Sequence, residues 1–232
     1  NSRLMIVLLL MLVAMIATWA YKTKRMQVSL RQMAETDALT GICNRHHFTQ
    51  RAEAALAAAL RDREEVALVM FDLDHFKAIN DRYGHAVGDW VLRAVAATCR
   101  PLCRGVDCFG RIGGEEFAIL MIGCDERVAR RLADDCRVRL AGLDTRESGQ
   151  SFQVTASFGI STTRESGHDL ARLLSHADKV LYSAKHAGRN QVAVYRPTAA
   201  TALPVMLRSE GVDLHLVREQ PIDGALPRVA AL

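Results

Sequence analysis

Arg111-Ile112-Gly113-Gly114-Glu115-Glu116-Phe117 lies between two apolar runs of strand length, Cys108 to Ile112 and Phe117 to Ile122. Adjacent glycines at its centre let a backbone reverse direction tightly, so the stretch predicts a β-hairpin with two glutamates at its tip. Consecutive carboxylates in such a turn repel one another unless a cation lies nearby. The tip therefore reads as a metal site or as a solvated acidic turn.

Upstream, Phe71-Asp72-Leu73-Asp74-His75-Phe76-Lys77 places acidic side chains where the apolar run Val66 to Phe71 ends. Alternation along an extended chain puts Asp72 and Asp74 on one side. Carboxylates at a strand end suit Mg²⁺, a hard cation that takes oxygen ligands and often keeps phosphates as further partners. Helix-capping aspartates would look the same locally. Between the two acidic stretches, Asn80-Asp81-Arg82-Tyr83-Gly84-His85-Ala86-Val87-Gly88-Asp89 predicts a polar loop entering a helix over 88–100, which stops before Pro101. An Asn and an Asp together supply the donors and acceptors needed to read a guanine edge, although either type also serves in turns and caps.

Farther on, Lys185-His186-Ala187-Gly188-Arg189-Asn190 carries two cations four residues apart at the end of a predicted helix over 168–187, whose Leu170, Leu173, Leu174, Ala177 and Leu181 share one face. They could complement the helix dipole or clamp a triphosphate. Helices over 45–63 and 125–140 and strands over 152–161 and 191–195 complete an alternating α/β pattern. From Pro197 to Leu232 no period persists, and a weakly ordered tail is expected.

At the other end, Leu4 to Tyr21 holds no charged side chain and would form a helix of about 27 Å, close to the thickness of a bilayer core. Trp19 and Tyr21 sit at its edge and Lys22, Lys24 and Arg25 follow, which predicts a transmembrane helix over 4–21 with everything after it in the cytoplasm. A signal peptide fits less well, because the charges lie after the apolar run and no small-x-small cleavage pattern precedes them. The chain opens on Asn1 rather than Met, which fits the tail end of a longer membrane protein; any upstream sensor would then lie before it. Residues 22–36, with Met26, Leu30 and Met33 at helical spacing, read as a helical stalk that either dimerises or merely connects.

The net charge of +4, with dispersed Lys and Arg, lacks the dense basic stripe of a nucleic-acid groove, so no nucleic acid polymer is expected as partner. Six cysteines occur without a CxxC pair or zinc-ligand spacing and read as reduced, mostly buried thiols.

Taken in order, Asp37-Ala38-Leu39-Thr40-Gly41-Ile42-Cys43-Asn44-Arg45, the Phe71 to Asp81 block, Tyr83-Gly84-His85 with Gly88-Asp89, the Gly113 to Phe117 signature, Thr155-Ala156-Ser157-Phe158-Gly159-Ile160, and Ala177-Asp178 through Asn190 resemble the GGDEF domains of diguanylate cyclases, in the variant with two glutamates. The resemblance covers roughly 37–195 and implies a catalytic domain over 37–196. Its implied fold is a ferredoxin-like, polymerase-palm-like α/β sandwich with a mainly antiparallel sheet flanked by helices.

The same resemblance implies that two GTP molecules condense into cyclic di-GMP across a homodimer, releasing pyrophosphate. Asp72, Glu115 and the Leu73 carbonyl would hold Mg²⁺ or Mn²⁺, with Glu116 supporting the metal or the attacking hydroxyl. Asn80 and Asp89 would read guanine. Lys77, Lys185 and Arg189, with backbone N–H groups near His75 and Phe76, would hold phosphates. Arg104-Gly105-Val106-Asp107 resembles the family's inhibitory RxxD site for cyclic di-GMP; alone, it would read as a surface ion pair. A catalytically weak receptor for cyclic di-GMP is the alternative, and a cyclase for another nucleotide a third reading.

Overall fold

Val66–Leu73 forms a strand buried along its whole length, which requires cover on both faces, and the helices of this protein supply it. The structure, a computed structural model, describes residues 2–197, apart from the side chains of residues 2–5, 7–9 and 25–34. In chain order the elements are α1 (Ser2–Glu35), α2 (Arg45–Asp62), β1 (Val66–Leu73), α3 (Phe76–Tyr83), α4 (His85–Cys99), β2 (Cys108–Arg111), β3 (Glu116–Ile122), α5 (Glu126–Ala141), β4 (Ala156–Thr162), α6 (Thr163–Ser166), α7 (Leu170–His186) and β5 (Val192–Val194).

The sheet runs β2-β3-β1-β4-β5. Its first four strands pair antiparallel, and β5 joins β4 in parallel, so the sheet is mixed. Leu68 and Met70 of β1 face Phe48, Ala52 and Leu56 of α2 and Leu173, Ala177 and Leu181 of α7. On the opposite side, Val69 and Phe71 join Val91 and Val95 of α4 and Ala133 and Cys136 of α5.

A layer of phenylalanines fixes the register. Phe71 pairs with Phe117 and with Phe158 on its two neighbours, their rings stacking at 5.1 and 4.8 Å, and Phe109 extends the row at 6.3 Å. A slip of one residue would turn every such ring to the other face, so burial of this layer locks the pairing of the next residues. Those residues are Asp72, Glu116 and Ser157, side by side on three strands.

Two glycines govern close approaches. A Cβ on Gly159 of β4 would overlap the Ala177 carbonyl and crowd Leu181, so α7 lies against the sheet only because that position has none. Gly84, at φ 85°, separates α3 from α4. The polar loop expected over 80–89 is thus corrected to helix, break and helix: Asn80 lies in α3, whose Phe76 and Ile79 are buried at helical spacing.

Among the described residues, no helix is long and apolar enough to cross a membrane. The expected span over 4–21 includes residues 4, 5 and 7–9, whose side chains lie outside the description, as do those of residues 25–34 in the expected stalk. The backbone of α1 is continuous through both. The expected tail beyond Pro197 lies outside the described residues.

Candidate active site

Asp72 lies next to the last residue of β1 with its side chain 8% exposed, and Lys185 on α7 reaches it with Nζ 2.8 Å from Oδ2. That single cation does not balance the carboxylates around it. Burial raises the pKa of Asp72; Lys185 opposes the rise, while Asp74 and Asp178 add to it. Burial also raises Glu115, and the neighbouring Asp72 adds to the rise. A pair of carboxyls pushed up together by burial and mutual repulsion is a place where an added cation lowers the energy.

The hairpin tip is held by backbone and by one arginine. Ile112 and Gly113 donate N–H groups to the Glu116 carbonyl at 2.9 and 3.3 Å, and Leu73 N–H points to the Glu115 carbonyl at 3.4 Å. Arg111 donates through Nε and Nη2 to the Gly114 carbonyl at 3.0 and 2.7 Å, while its Nη1 donates to both oxygens of Asp37. Asp37 is in turn fixed by Thr40 N–H and Oγ1, at 2.9 and 2.6 Å. The Glu116 carboxylate folds back over Gly113, where any Cβ would meet it. It also lines a groove of about 450 Å³ between α2 and α7, together with Arg45, Met70 and Asp178.

Glu115 therefore lies near Asp72 while Glu116 turns to the groove. Among the described residues no three His, Cys, Asp or Glu side chains converge closely enough to hold a metal by themselves. The donor set that remains is all oxygen, two carboxylates with the strand-end carbonyl of Leu73, and it fits a hard divalent cation completed by ligand oxygens.

Asp74 has a different role from its neighbour. Its carboxylate accepts from Thr155 Oγ1 (2.8 Å), Ser157 Oγ (2.7 Å) and Asn190 N–H (3.0 Å). It is a fully occupied buried acceptor that ties the end of β1 to β4 and to the turn after α7. That turn carries Arg189 and Asn190 at φ 64° and 44°, with Gly188 at 113°. Arg189 is exposed, so its guanidinium is accessible beside the same turn.

His75, at φ 57°, turns the chain from β1 into α3, whose first N–H groups follow at Phe76 and Lys77. Phe76 is buried; His75 and Lys77 are exposed. Asn80 packs its side chain against Gly88 of α4, in space a Cβ would fill, and Asp89 is exposed on the next residue. Asn80 and Gly88, the residue before Asp89, thus meet across the α3–α4 break.

Arg104 and Asp107 lie at the far end of the sheet and grip each other. Arg104 Nη2 and Nε donate to the two Asp107 oxygens at 2.6 and 3.1 Å, its backbone N–H adds a contact at 2.8 Å, and Nη2 also donates to the Ile122 carbonyl at 2.6 Å. Arg131 of α5 joins them around a cavity of about 290 Å³.

Roles for Arg111, Asp37, Thr40, Ser157 and Arg131 emerge only in the folded chain. Asp37-x-x-Thr40 is the one local signal, since that spacing suits a side-chain turn.

The family model described as "Diguanylate cyclase, GGDEF domain" matches residues 34–191. Diguanylate cyclase VdcA of Vibrio cholerae is 39% identical over 175 residues, covering 74% of this chain and 50% of the relative. Diguanylate cyclase DgcP of Pseudomonas aeruginosa is 38% identical over 164 residues, covering 71% and 24%. The chain thus spans half or less of these curated relatives. The coiled coil and GGDEF domain of DgcB from Caulobacter crescentus, solved with c-di-GMP, superposes with a TM-score of 0.69 at 31% identity, covering 79% of this chain and 98% of that one. The active GGEEF domain of a diguanylate cyclase from Vibrio cholerae gives 0.63 at 34%, covering 68% and 99%.

Proposed function

The chain belongs to the GGDEF domain family, and on that premise we propose that it is a diguanylate cyclase, condensing two GTP into cyclic di-GMP with release of pyrophosphate. The observation that carries this reading is the register that sets Asp72 opposite Glu116, with Glu115 next to it and Lys185 at 2.8 Å from Asp72.

In this reading Asp72, Glu115 and the Leu73 carbonyl would hold Mg²⁺ or Mn²⁺. When bound, the cation neutralises phosphate charge and favours ionisation of the attacking 3′-hydroxyl. Lys185 then exchanges its carboxylate partner for phosphate oxygens, with Lys77, Arg189 and the N–H groups from His75 to Lys77 as further donors. Asn80 and Asp89 supply acceptors and donors for the guanine edge, where a missing partner would leave a polar group unpaired. Glu116, facing the groove, supports the metal or takes the hydroxyl proton. Because each bound nucleotide supplies a hydroxyl to the other, the active form is a homodimer.

Exposed Leu10, Met11, Val13, Met15, Ile16 and Trp19 on α1 support an extension of the proposal. An apolar helix surface of this kind needs cover, and the following Lys22 and Lys24 favour a bilayer with the catalytic domain on its cytoplasmic side. Residues 22–36 then act as the stalk between membrane and domain. Alkaline extraction of membranes tests this: release of the full chain into the soluble fraction would remove the anchor.

The Arg104–Asp107 pair supports product inhibition. Arg104 presents a planar fork suited to guanine, and opening the pair would free it. Incubating the full chain with GTP and Mg²⁺ should give cyclic di-GMP and pyrophosphate, and Glu116→Gln should abolish both while circular dichroism is unchanged. A dimeric sample that binds cyclic di-GMP tightly but makes none would establish the receptor alternative.

A further inference from the structure

Cys43 stands apart from the other thiols of this protein. It lies in the loop joining α1 to α2, half-buried, and is laid along β2 by its backbone: its N–H donates to the Phe109 carbonyl at 3.2 Å, and its carbonyl accepts from Arg111 N–H at 2.9 Å. This forms an isolated parallel bridge to Gly110. Cys108, two residues earlier on β2, turns to the same side of the strand and is buried. The two thiols are therefore neighbours across this bridge. Arg51 Nη1 sits 3.9 Å from Cys43 Sγ, and the Cys108 thiol points at the Phe48 carbonyl at 4.0 Å. A cleft of about 380 Å³ opens onto Cys43 and is edged by His47, Arg51, Arg100 and Arg104, with Glu35 and Asp107 its acidic members among the described residues.

We propose that Cys43 is an oxidant-reactive thiol, a modification site for small hydroperoxides, and that Cys108 resolves the oxidised form by closing a disulfide.

A thiolate is the reactive species, and a basic, partly open surrounding favours it. The neighbouring Cys108 thiol draws the Cys43 thiol down to about 6; burial opposes this, and Arg51 and His47 add to it. Cys108 is pushed in the other direction by the neighbouring Cys43 and by burial, so it keeps its proton. Cys103, also half-buried and on the edge of the same cleft, is pushed up to about 12 by burial.

In the first step the Cys43 sulfur attacks the terminal oxygen of the hydroperoxide. The S–O bond forms, the O–O bond breaks, and the departing oxygen takes a proton to leave as water or an alcohol. Cys43 becomes a sulfenic acid. In the second step the Cys108 sulfur attacks that sulfur, S–S forms, S–O breaks, and the hydroxide leaves as water with the Cys108 proton. The thiol pair loses two electrons and the peroxide gains them; a dithiol reductant reverses the change.

The position gives the chemistry a consequence. Cys43 precedes Asn44, whose side chain caps α2 through His47 N–H, and accepts from Arg111, which holds the hairpin tip. Drawing Cys43 toward Cys108 displaces both. This last step rests on the cyclase reading; the thiol chemistry does not.

Limited alkylation of the reduced full chain at pH 7, read by peptide mass spectrometry, tests the reactivity without any variant. Cys43 should be labelled roughly tenfold or more faster than Cys103. Equal rates, or a faster Cys103, would overturn the proposal. Hydrogen peroxide followed by dimedone tests the second step: wild type should give a Cys43–Cys108 cross-linked peptide that dithiothreitol reverses, and Cys108→Ser should accumulate dimedone on Cys43. Sulfenic acid in wild type with no cross-link would remove Cys108 from the scheme. Peroxide should shift GTP turnover of wild type and leave that of Cys43→Ser unchanged; turnover indifferent to a complete cross-link would sever the site from the hairpin. Labelling is read without turnover, so failure of the cyclase reading leaves the thiol result standing.

Discussion

β3 begins beside one cluster of charge and ends beside another, and the two are built on opposite principles. At its start, Asp72 and Glu115 share one nearby lysine, and burial raises both carboxyls. At its end, Asp107 is enclosed by Arg104 side chain and backbone, and Nη2 of Arg104 also donates to the Ile122 carbonyl. The first cluster is short of positive charge and is completed only by something from outside. The second is complete as it stands, and a ligand there must first displace an internal partner. Ligand binding should therefore stabilise the first end directly, whereas the second should behave as a latch.

The sharpest way to break this contrast is to neutralise each end. Asp72→Asn and Glu115→Gln should lower GTP turnover by about a thousandfold, roughly 4 kcal/mol of transition-state stabilisation. Arg104→Ala should leave turnover without product within a few-fold, and an equal loss at both ends would end the distinction. Steady-state pyrophosphate release measures both.

Metal-linked stability comes next. A carboxyl whose folded pKa lies above its unfolded value binds more protons in the native state, so its ionisation weakens folding as pH rises from the unfolded value through the folded one. Asp72 and Glu115 are both raised, so a divalent cation should stabilise the protein little in acid and increasingly as pH climbs through that window. At a hundredfold excess over Kd the gain is about 2.7 kcal/mol. Thermal melts with Mg²⁺ should show it in wild type and lose it in Asp72→Asn; a shift independent of pH would argue for binding elsewhere.

At the latched end, Arg104→Ala leaves a buried carboxylate with its backbone donor only. Urea unfolding should report a loss of about 2 kcal/mol, below the value for fully buried pairs because Arg104 is itself half-exposed. The smallest effect belongs to the base-reading pair. Gly88→Ala puts a Cβ where the Asn80 side chain lies and should raise the KM for GTP about tenfold, roughly 1.4 kcal/mol, with little change in melting temperature.

Much of this was legible in the residues. The strand read over Val66 to Phe71, which the structure extends to Leu73, the hairpin and the helices α2, α5 and α7 follow from the residue pattern, because their burial is one-sided or complete over whole elements. Gly113-Gly114 and Pro101 marked their own boundaries. α3 was missed because only Phe76 and Ile79 of its eight residues are buried, too short a pattern to show a period. The opposite roles of Asp72 and Asp74 could not be read either. Both are buried at a strand end, and only the partners brought by β4 and the turn after α7, Thr155, Ser157 and Asn190, distinguish the satisfied carboxylate from the open one. The parallel pairing of β5 and the inward fold of Glu116 likewise depend on contacts remote in sequence.

Arg111 spans from Asp37, two residues past the end of α1, to the Gly114 carbonyl at the hairpin tip. One guanidinium therefore couples the point where the chain enters the domain to the turn that presents Glu115. A twist delivered along the long N-terminal helix would meet this guanidinium as a rigid strut to the reacting centre, alongside the Thr36–Cys43 and Cys43–Gly110 bridges.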